Sequence, residues 1–468
     1  MGQTVSEHPR LTAVVASEWQ CTYEQLWEDV EQWRRRCAAL GLPPGSIACI
    51  IADADPQLPA AFLGARAAGA VPMLIDGRLA AARIPAAIDV AQPAAVIRLG
   101  DDEVVTTPGT DPRILPDGAS CVVFSSGSQG VSKGIVAQAR GQLHFIDWEI
   151  ERLGAQPGWR TAMLTSPSFE VIIRDLLLPL CTGGEVRIAP SAVRISPRSV
   201  LPWLAENDID VVHVVPSMSA RWIGAAGDVK AGALRWTLFA GEPLYEQQVT
   251  NWRSVAPRSR VLNLYGPAET TLAKLCYEVP PTPRTGLQPV GRPLSGTQLE
   301  LERASSDGAA DGPWRIVIST PHGSLGYLAG TGVDGVQQLR RTDGMTRFVT
   351  QDRGHWDDDG NLVVTGRLDS LVKRNGVFVD LARIESAALA LPDVRATCCF
   401  QLLPSGHVVL AVEGPTESAA AQLRRRLQPR LGIELPDRVV AMPTLPLLPG
   451  GKVDRRSVRA LLAEAGSA

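Results

Sequence analysis

The sequence predicts an α/β protein in two unequal parts. A large N-terminal body of parallel and mixed α/β sheets carries a small β region, and a small α+β C-terminal unit follows. Three observations lead there. Through the first half, short apolar runs alternate with helix-spaced segments, the pattern of helices laid on a parallel sheet. A Pro-, Gly- and Thr-rich stretch over 281–300 then turns to strand alternation at Gln298–Glu302. Residues 369–468 form a compact tail with strands and helices of its own. At 468 residues the chain is also too long for one ordinary core.

Taken in order, residues 22–40 place Leu26, Val30, Trp33, Cys37 and Leu40 at helical spacing, and Gly41 supplies the stop. Ser46–Ile51 reads as a short buried strand, Ala60–Ala70 as a small-residue helix and Val71–Ile75 as the next strand. Apolar runs predict further strands over 93–98, 121–124, 161–165, 185–188 and 210–215. The Gly/Ser/Asp-rich segment 303–313 predicts an exposed loop. Trp314–Ser319, Thr346–Thr350 and Asn361–Thr365 predict antiparallel strands. In the tail, strands are expected near 371–379, 396–402 and 407–412, and helices near 383–391 and 415–430.

Composition narrows the function. A net charge of −3 offers no basic surface for nucleic acid. Arg34, Arg35 and Arg36 stand beside Glu28, Asp29 and Glu31, which reads as a solvated helix face. Eight cysteines include no CxxC pair and several lie in apolar runs, the usage of buried thiols in a reducing compartment. The N-terminus is polar and no apolar run reaches membrane length, so a cytoplasmic protein without a membrane partner is expected.

The chemistry is concentrated in a few segments. Phe124–Gly134 holds three serine hydroxyls near its start, three glycines and Lys133, directly after the apolar run Cys121–Phe124. Such a loop can wrap backbone N–H groups around a polyphosphate, with the lysine adding charge. It is not a Walker loop, because the G-x-x-x-x-G-K-[ST] spacing fails; on composition alone a Ser/Gly linker is the alternative. Three more segments follow: Asn263–Thr271 (NLYGPAETT), Thr350-Gln351-Asp352 leading to Gly366-Arg367-Leu368-Asp369, and Leu445–Asp454 (LPLLPGGKVD). Together, in this order, the four resemble the core motifs of the adenylate-forming superfamily. The closest branch looks like the amino-acid adenylation domains of nonribosomal peptide synthesis. The resemblance runs from about Thr22 to Arg456.

It implies a carboxylic acid that attacks the α-phosphate of ATP, with pyrophosphate leaving. Ser125, Ser126, Gly127, Ser128 and Lys133 would hold the leaving phosphates. Glu269 would be the Mg²⁺ carboxylate, Tyr265 with Gly266 and Asn263 would meet the adenine, and Asp352 and Arg367 the ribose. Lys452 would be the catalytic lysine. Asp369 would be the hinge between residues 1–368 and a mobile lid of residues 369–468. After rotation, a face with Lys373 and Gly376 would meet a thiol partner. The chain departs from the family pattern at Ser132, Ala139, Gln351 and Arg383.

Positions matching the family's substrate pocket are Glu170, Val171, Arg174, His213, Leu238, Ala240, Leu264, Leu272 and Ala273. Glu170 stands where an aspartate normally pairs with the substrate's α-ammonium. It keeps a carboxylate and so implies an amino acid, including β- and cyclic ones. Arg174, four residues on, offers two readings: an internal ion pair with Glu170, or recognition of a second polar group on the substrate together with His213. Three functions follow from the resemblance. The first is a stand-alone amino-acid adenylating enzyme using ATP and Mg²⁺ and loading the phosphopantetheine thiol of a separate carrier protein. The second is an acyl- or aryl-CoA ligase using free CoA. The third is a binding homologue without chemistry.

Overall fold

The computed structural model describes residues 2–79, 83–100, 103–106, 112–125, 133–304, 313–328, 336–374, 377–391, 393–402, 405–414, 417–448 and 451–464. The fold is α/β with two large sheets. In the nine-stranded sheet, six central strands run parallel: Arg260–Tyr265, Trp236–Ala240, Val211–Val214, Arg160–Met163, Glu185–Ile188 and Thr12–Ala16. Antiparallel strands close both edges. The eight-stranded sheet is built around Ile47–Ala52 and Val71–Asp76 and ends beyond Ala119–Ser125 and Lys133–Gln138 in antiparallel pairs.

Every residue of Ile47–Ala52 and Val71–Asp76 is buried, because helices cover both faces of the sheet. Against one of them, Leu58–Ala67, lies the helix Tyr23–Ala39, which starts at a capping box in which Thr22 and Gln25 satisfy each other's backbone N–H. Its buried stripe of Leu26, Val30, Trp33 and Cys37 lies against the helix Leu58–Ala67. The helices meet at Gly64, where a Cβ would stand 2.5 Å from that of Trp33, so only glycine permits this approach.

A five-stranded antiparallel sheet follows: Gln298–Arg303, Trp314–Thr320, Met345–Trp356, Arg341–Thr342 and Leu362–Arg367. The tail holds a hairpin, Leu371–Arg374 with Val377–Asp380, and a three-stranded sheet of Ala396–Gln401, Val408–Glu413 and Arg438–Met442. The single strand expected near 371–379 is therefore two strands. The expected loop at 303–313 falls mostly outside the described residues. Six of the eight cysteines are buried and all are unpaired. Among the described residues no helix is long and apolar enough to cross a membrane.

Candidate active site

The parallel strands of the nine-stranded sheet end on one side, the usual place for a site in an open α/β sheet. Tyr265 closes one strand there, Ala240 the next, and Val214 the third. On this edge the Tyr265 hydroxyl donates to Asp352 Oδ2 at 2.5 Å. Arg367, opposite Asp352 in the ladder, reaches its Oδ1 at 3.4 Å and also grips Asp369 at 2.9 Å. Burial lifts the Asp352 carboxyl above the usual range, although Tyr265 and Arg367 pull the other way. Gly266 packs against the Leu272 carbonyl, and the Asn263 amide donates to the Pro289 carbonyl at 2.7 Å.

Lys452 comes to the same edge from the far end of the chain. Its ammonium lies 5.8 Å from the centre of the Phe169 ring. Its Cε passes so close to Gly241 that a Cβ there would be 2.8 Å away, and Gly241 has a φ of +90°. Burial lowers the Lys452 pKa, while Glu242 and Asp352 act to raise it. Beside this group, Glu269 sits in the 3₁₀ turn Ala268–Thr270 and accepts from the Tyr327 hydroxyl at 2.9 Å. The Lys133 ammonium lies 5.2 Å from the centre of the Tyr327 ring. Ser125 pairs with Lys133 across a hairpin. Ser126, Gly127 and Ser128, expected to bind phosphates, lie outside the described residues, as does Gly376.

A cavity of about 100 Å³ opens next to Lys452 and is lined by Val171, Arg174, His213, Leu238, Ala240 and Gly451 among others. Glu170, Leu264, Leu272 and Ala273 are buried but do not line it. Of the two readings of Arg174, the ion pair with Glu170 does not form, and Arg174 turns to Glu149 Oε1 at 2.7 Å. The reason is local: the helix Ile172–Thr182 begins only after Glu170, so the two residues do not stand one turn apart on a regular helix. His213 is equally occupied. Its Nδ1 pairs with Asp175 at 2.6 Å and its Nε2 with Glu149 at 3.1 Å. Burial alone would raise the Glu149 carboxyl, yet Arg174 and His213 pull it down to about 2. Burial and Arg174 oppose a charged His213, but Glu149 and Asp175 win and raise its pKa. The floor of the cavity is thus a buried network of two carboxylates, an arginine and a histidine whose pKa is raised.

Glu170 itself accepts the Leu272 N–H at 3.0 Å, and burial pushes its pKa up to about 7. Sequence reasoning missed Glu149, Asp175, Lys274, Tyr327 and Glu242. Glu149 had a signal: it lies on the stripe Gln142, Phe145, Ile146, Glu149, Leu153, which is otherwise apolar or amide.

A family model described as AMP-binding enzyme matches residues 2–328. An L-proline--[L-prolyl-carrier protein] ligase of Pseudomonas fluorescens is 26% identical, with 97% of each chain covered. Phosphinothricin tripeptide synthetase PhsC of Streptomyces viridochromogenes is 27% identical over 98% of this chain, which spans only 44% of that protein. Among solved structures, IdnL7 matches with a TM-score of 0.79 and 23% identity, over 99% of this chain and 98% of that one. A four-domain nonribosomal peptide synthetase bound to AMP and glycine matches with a TM-score of 0.82 and 20% identity, over 97% of this chain and 35% of that one. At these identities the structural likeness is one of fold.

Proposed function

The chain belongs to the AMP-binding enzyme family, and from that premise we propose that it adenylates an amino acid with ATP and passes the aminoacyl group to the phosphopantetheine thiol of a separate carrier protein. The observation that carries this reading is the convergence of Lys452, Asp352, Arg367 and Tyr265 at one sheet edge beside a cavity. The likeness to a carrier-protein ligase, 26% identical over 97% of each chain, supports the choice of thiol.

In this mechanism the acid's carboxylate attacks the α-phosphorus, the bond to the pyrophosphate oxygen breaks, and pyrophosphate leaves. The protein positions the reactants and offsets the developing charge. Lys452 bridges the attacking carboxylate and the α-phosphoryl oxygens. Asp352, oriented by Tyr265 and Arg367, accepts from the ribose hydroxyls. Glu269 would hold Mg²⁺, which would offset charge on the phosphates; its carboxylate accepts from the Tyr327 hydroxyl, and the Lys133 ammonium faces the same ring. The amine of the acid is assigned to Glu170. Residues 1–368 form the core and 369–468 the lid, with Asp369 as the hinge.

The test is ATP–pyrophosphate exchange across α-amino, β-amino, cyclic amino, hydroxy and aryl acids, followed by single-turnover transfer to a holo-carrier protein or to free CoA. Exchange with an amino acid and transfer to the carrier are expected. Transfer to CoA alone would replace the carrier with a ligase of free CoA. Exchange confined to acids without an amine would remove Glu170 from its role.

A further inference from the structure

Lys274 is buried at 0% exposure, between Ala273 and the strand Leu275–Val279. An isolated ammonium there is costly unless its charge is matched. Its Nζ donates to the Thr271 carbonyl and to the Ala273 carbonyl at 3.3 Å. The same turn sends the Leu272 N–H to Glu170 Oε1 at 3.0 Å. Thr271 and Leu272 adopt φ of +60° and +57°, two successive left-handed residues that L side chains rarely occupy. This turn therefore offers carbonyls to the lysine and an N–H to the carboxylate. It joins the two charges through its own peptide dipoles.

Other charged groups act on the pair as well: Glu269 pushes the Glu170 pKa up and Arg174 pulls it down. Arg174 is held by Glu149, and Glu269 by Tyr327. Burial keeps the Cys121 thiol neutral, its pKa up at about 12. His144 and His322 stack at 3.8 Å near Lys274, and burial lowers both, His322 to about 4.

We propose that Lys274 is the internal counter-ion of Glu170, and that an amine-bearing acid binds this site only as Lys274 gives up its proton. Lys274 is then a specificity-determining residue that sets how strongly the pocket prefers an ammonium over an uncharged group. The proton goes to solvent as the substrate ammonium takes its place opposite the Glu170 carboxylate, so the site stays neutral. Burial brings both partners to about 7, Glu170 from below and Lys274 from above, which makes this exchange accessible near neutral pH. The inference rests on the assignment of the substrate amine to Glu170.

The test compares ATP–pyrophosphate exchange for an accepted amino acid and the hydroxy acid of the same skeleton, at pH 7, in the full chain and in K274Q and K274R. Glutamine keeps a donor for the turn carbonyls without the charge, and arginine makes the charge permanent. The ratio of kcat/KM for amino over hydroxy acid should rise at least about tenfold in K274Q and fall at least about tenfold in K274R, a change of one pKa unit's worth of binding. The KM for ATP should stay unchanged. A ratio that moves in neither variant overturns the proposal and leaves Lys274 as a clip on the turn. If no amino acid supports exchange in the unaltered chain, the preceding assignment has failed. The thermal stabilities of E170Q, K274Q and the double variant then decide separately: non-additive losses keep the pair and additive losses dismiss it.

Discussion

Lys452 and Glu149 show how far single residues could be read from the sequence. Lys452 stood out through its neighbours in the segment Leu445–Asp454, and it lies against Phe169 and Gly241. Replacing it by alanine should slow adenylate formation about 100- to 1,000-fold, the usual loss when one transition-state donor is removed, while equilibrium dialysis still finds ATP bound. Unimpaired exchange would take Lys452 out of the chemistry. Glu149 was invisible as a partner, because the pairing of Arg174 and His213 with it spans 25 and 64 residues and no local spacing encodes that. Glu149→Gln leaves Arg174 and His213 facing one fewer carboxylate and should cost about 3–5 kcal/mol in denaturant unfolding. The sign of its pH dependence follows from its depressed pKa. Its stabilisation is complete above the ordinary carboxylate value of 4.5 and fades as pH falls through about 2. His213, raised instead, contributes fully below its ordinary 6.5 and less as pH rises past its folded value. The stability gap between the parent and Glu149→Gln should therefore be widest between these limits and narrow towards pH 2.

Elements were legible where one physical cause dominates. The runs at 47–52 and 71–76 are strands because both sheet faces are covered, and unbroken apolar character marks such strands directly. The helix Tyr23–Ala39 was legible from its stripe and its stop. Elements whose pairing is remote were harder. Thr12–Ala16 pairs with Glu185–Ile188, and nothing in its own five residues announces a strand at the end of a parallel run. The tail hairpin was read as one strand although Asn375-Gly376, a strong two-residue hairpin signal, stands between Leu371–Arg374 and Val377–Asp380. The contact between Tyr23–Ala39 and Leu58–Ala67 gives an element-level prediction. Gly64→Val must push the two helices apart and should destabilise the chain by about 1–3 kcal/mol or more, seen as a lower urea midpoint. A midpoint unchanged within error would mean that the helices separate freely.

At the scale of the whole molecule, the tail is fastened to the core beside the cavity. Arg221, on the helix Pro216–Ala226, pairs with Glu413 and donates to the Leu445 carbonyl at 2.9 Å. Ser217 Oγ faces the Gly451 carbonyl at 3.5 Å. These contacts hold the segment that carries Lys452, so Arg221→Ala should lower the rate of adenylate formation by about tenfold, an effect near 1.4 kcal/mol. Transfer from preformed aminoacyl-AMP to the thiol should stay within about twofold, a free-energy difference under half a kcal/mol. Equal losses in both steps would show that Arg221 serves the fold rather than this arrangement. The same fastening has a consequence for the order in which the chain is made. The strand Thr12–Ala16 can pair at once with Trp19–Thr22 but waits for residues 185–188 to join the parallel run, and Lys452, the proposed catalytic lysine, is made after every strand of both large sheets. On the role proposed for Lys452, a nascent or proteolytically shortened chain ending before Gly451 would hold nucleotide without turning it over. On that role, reactive acyl-adenylate can form only after both large sheets have been made, which gives the ribosome, rather than any inhibitor, the timing of first activity.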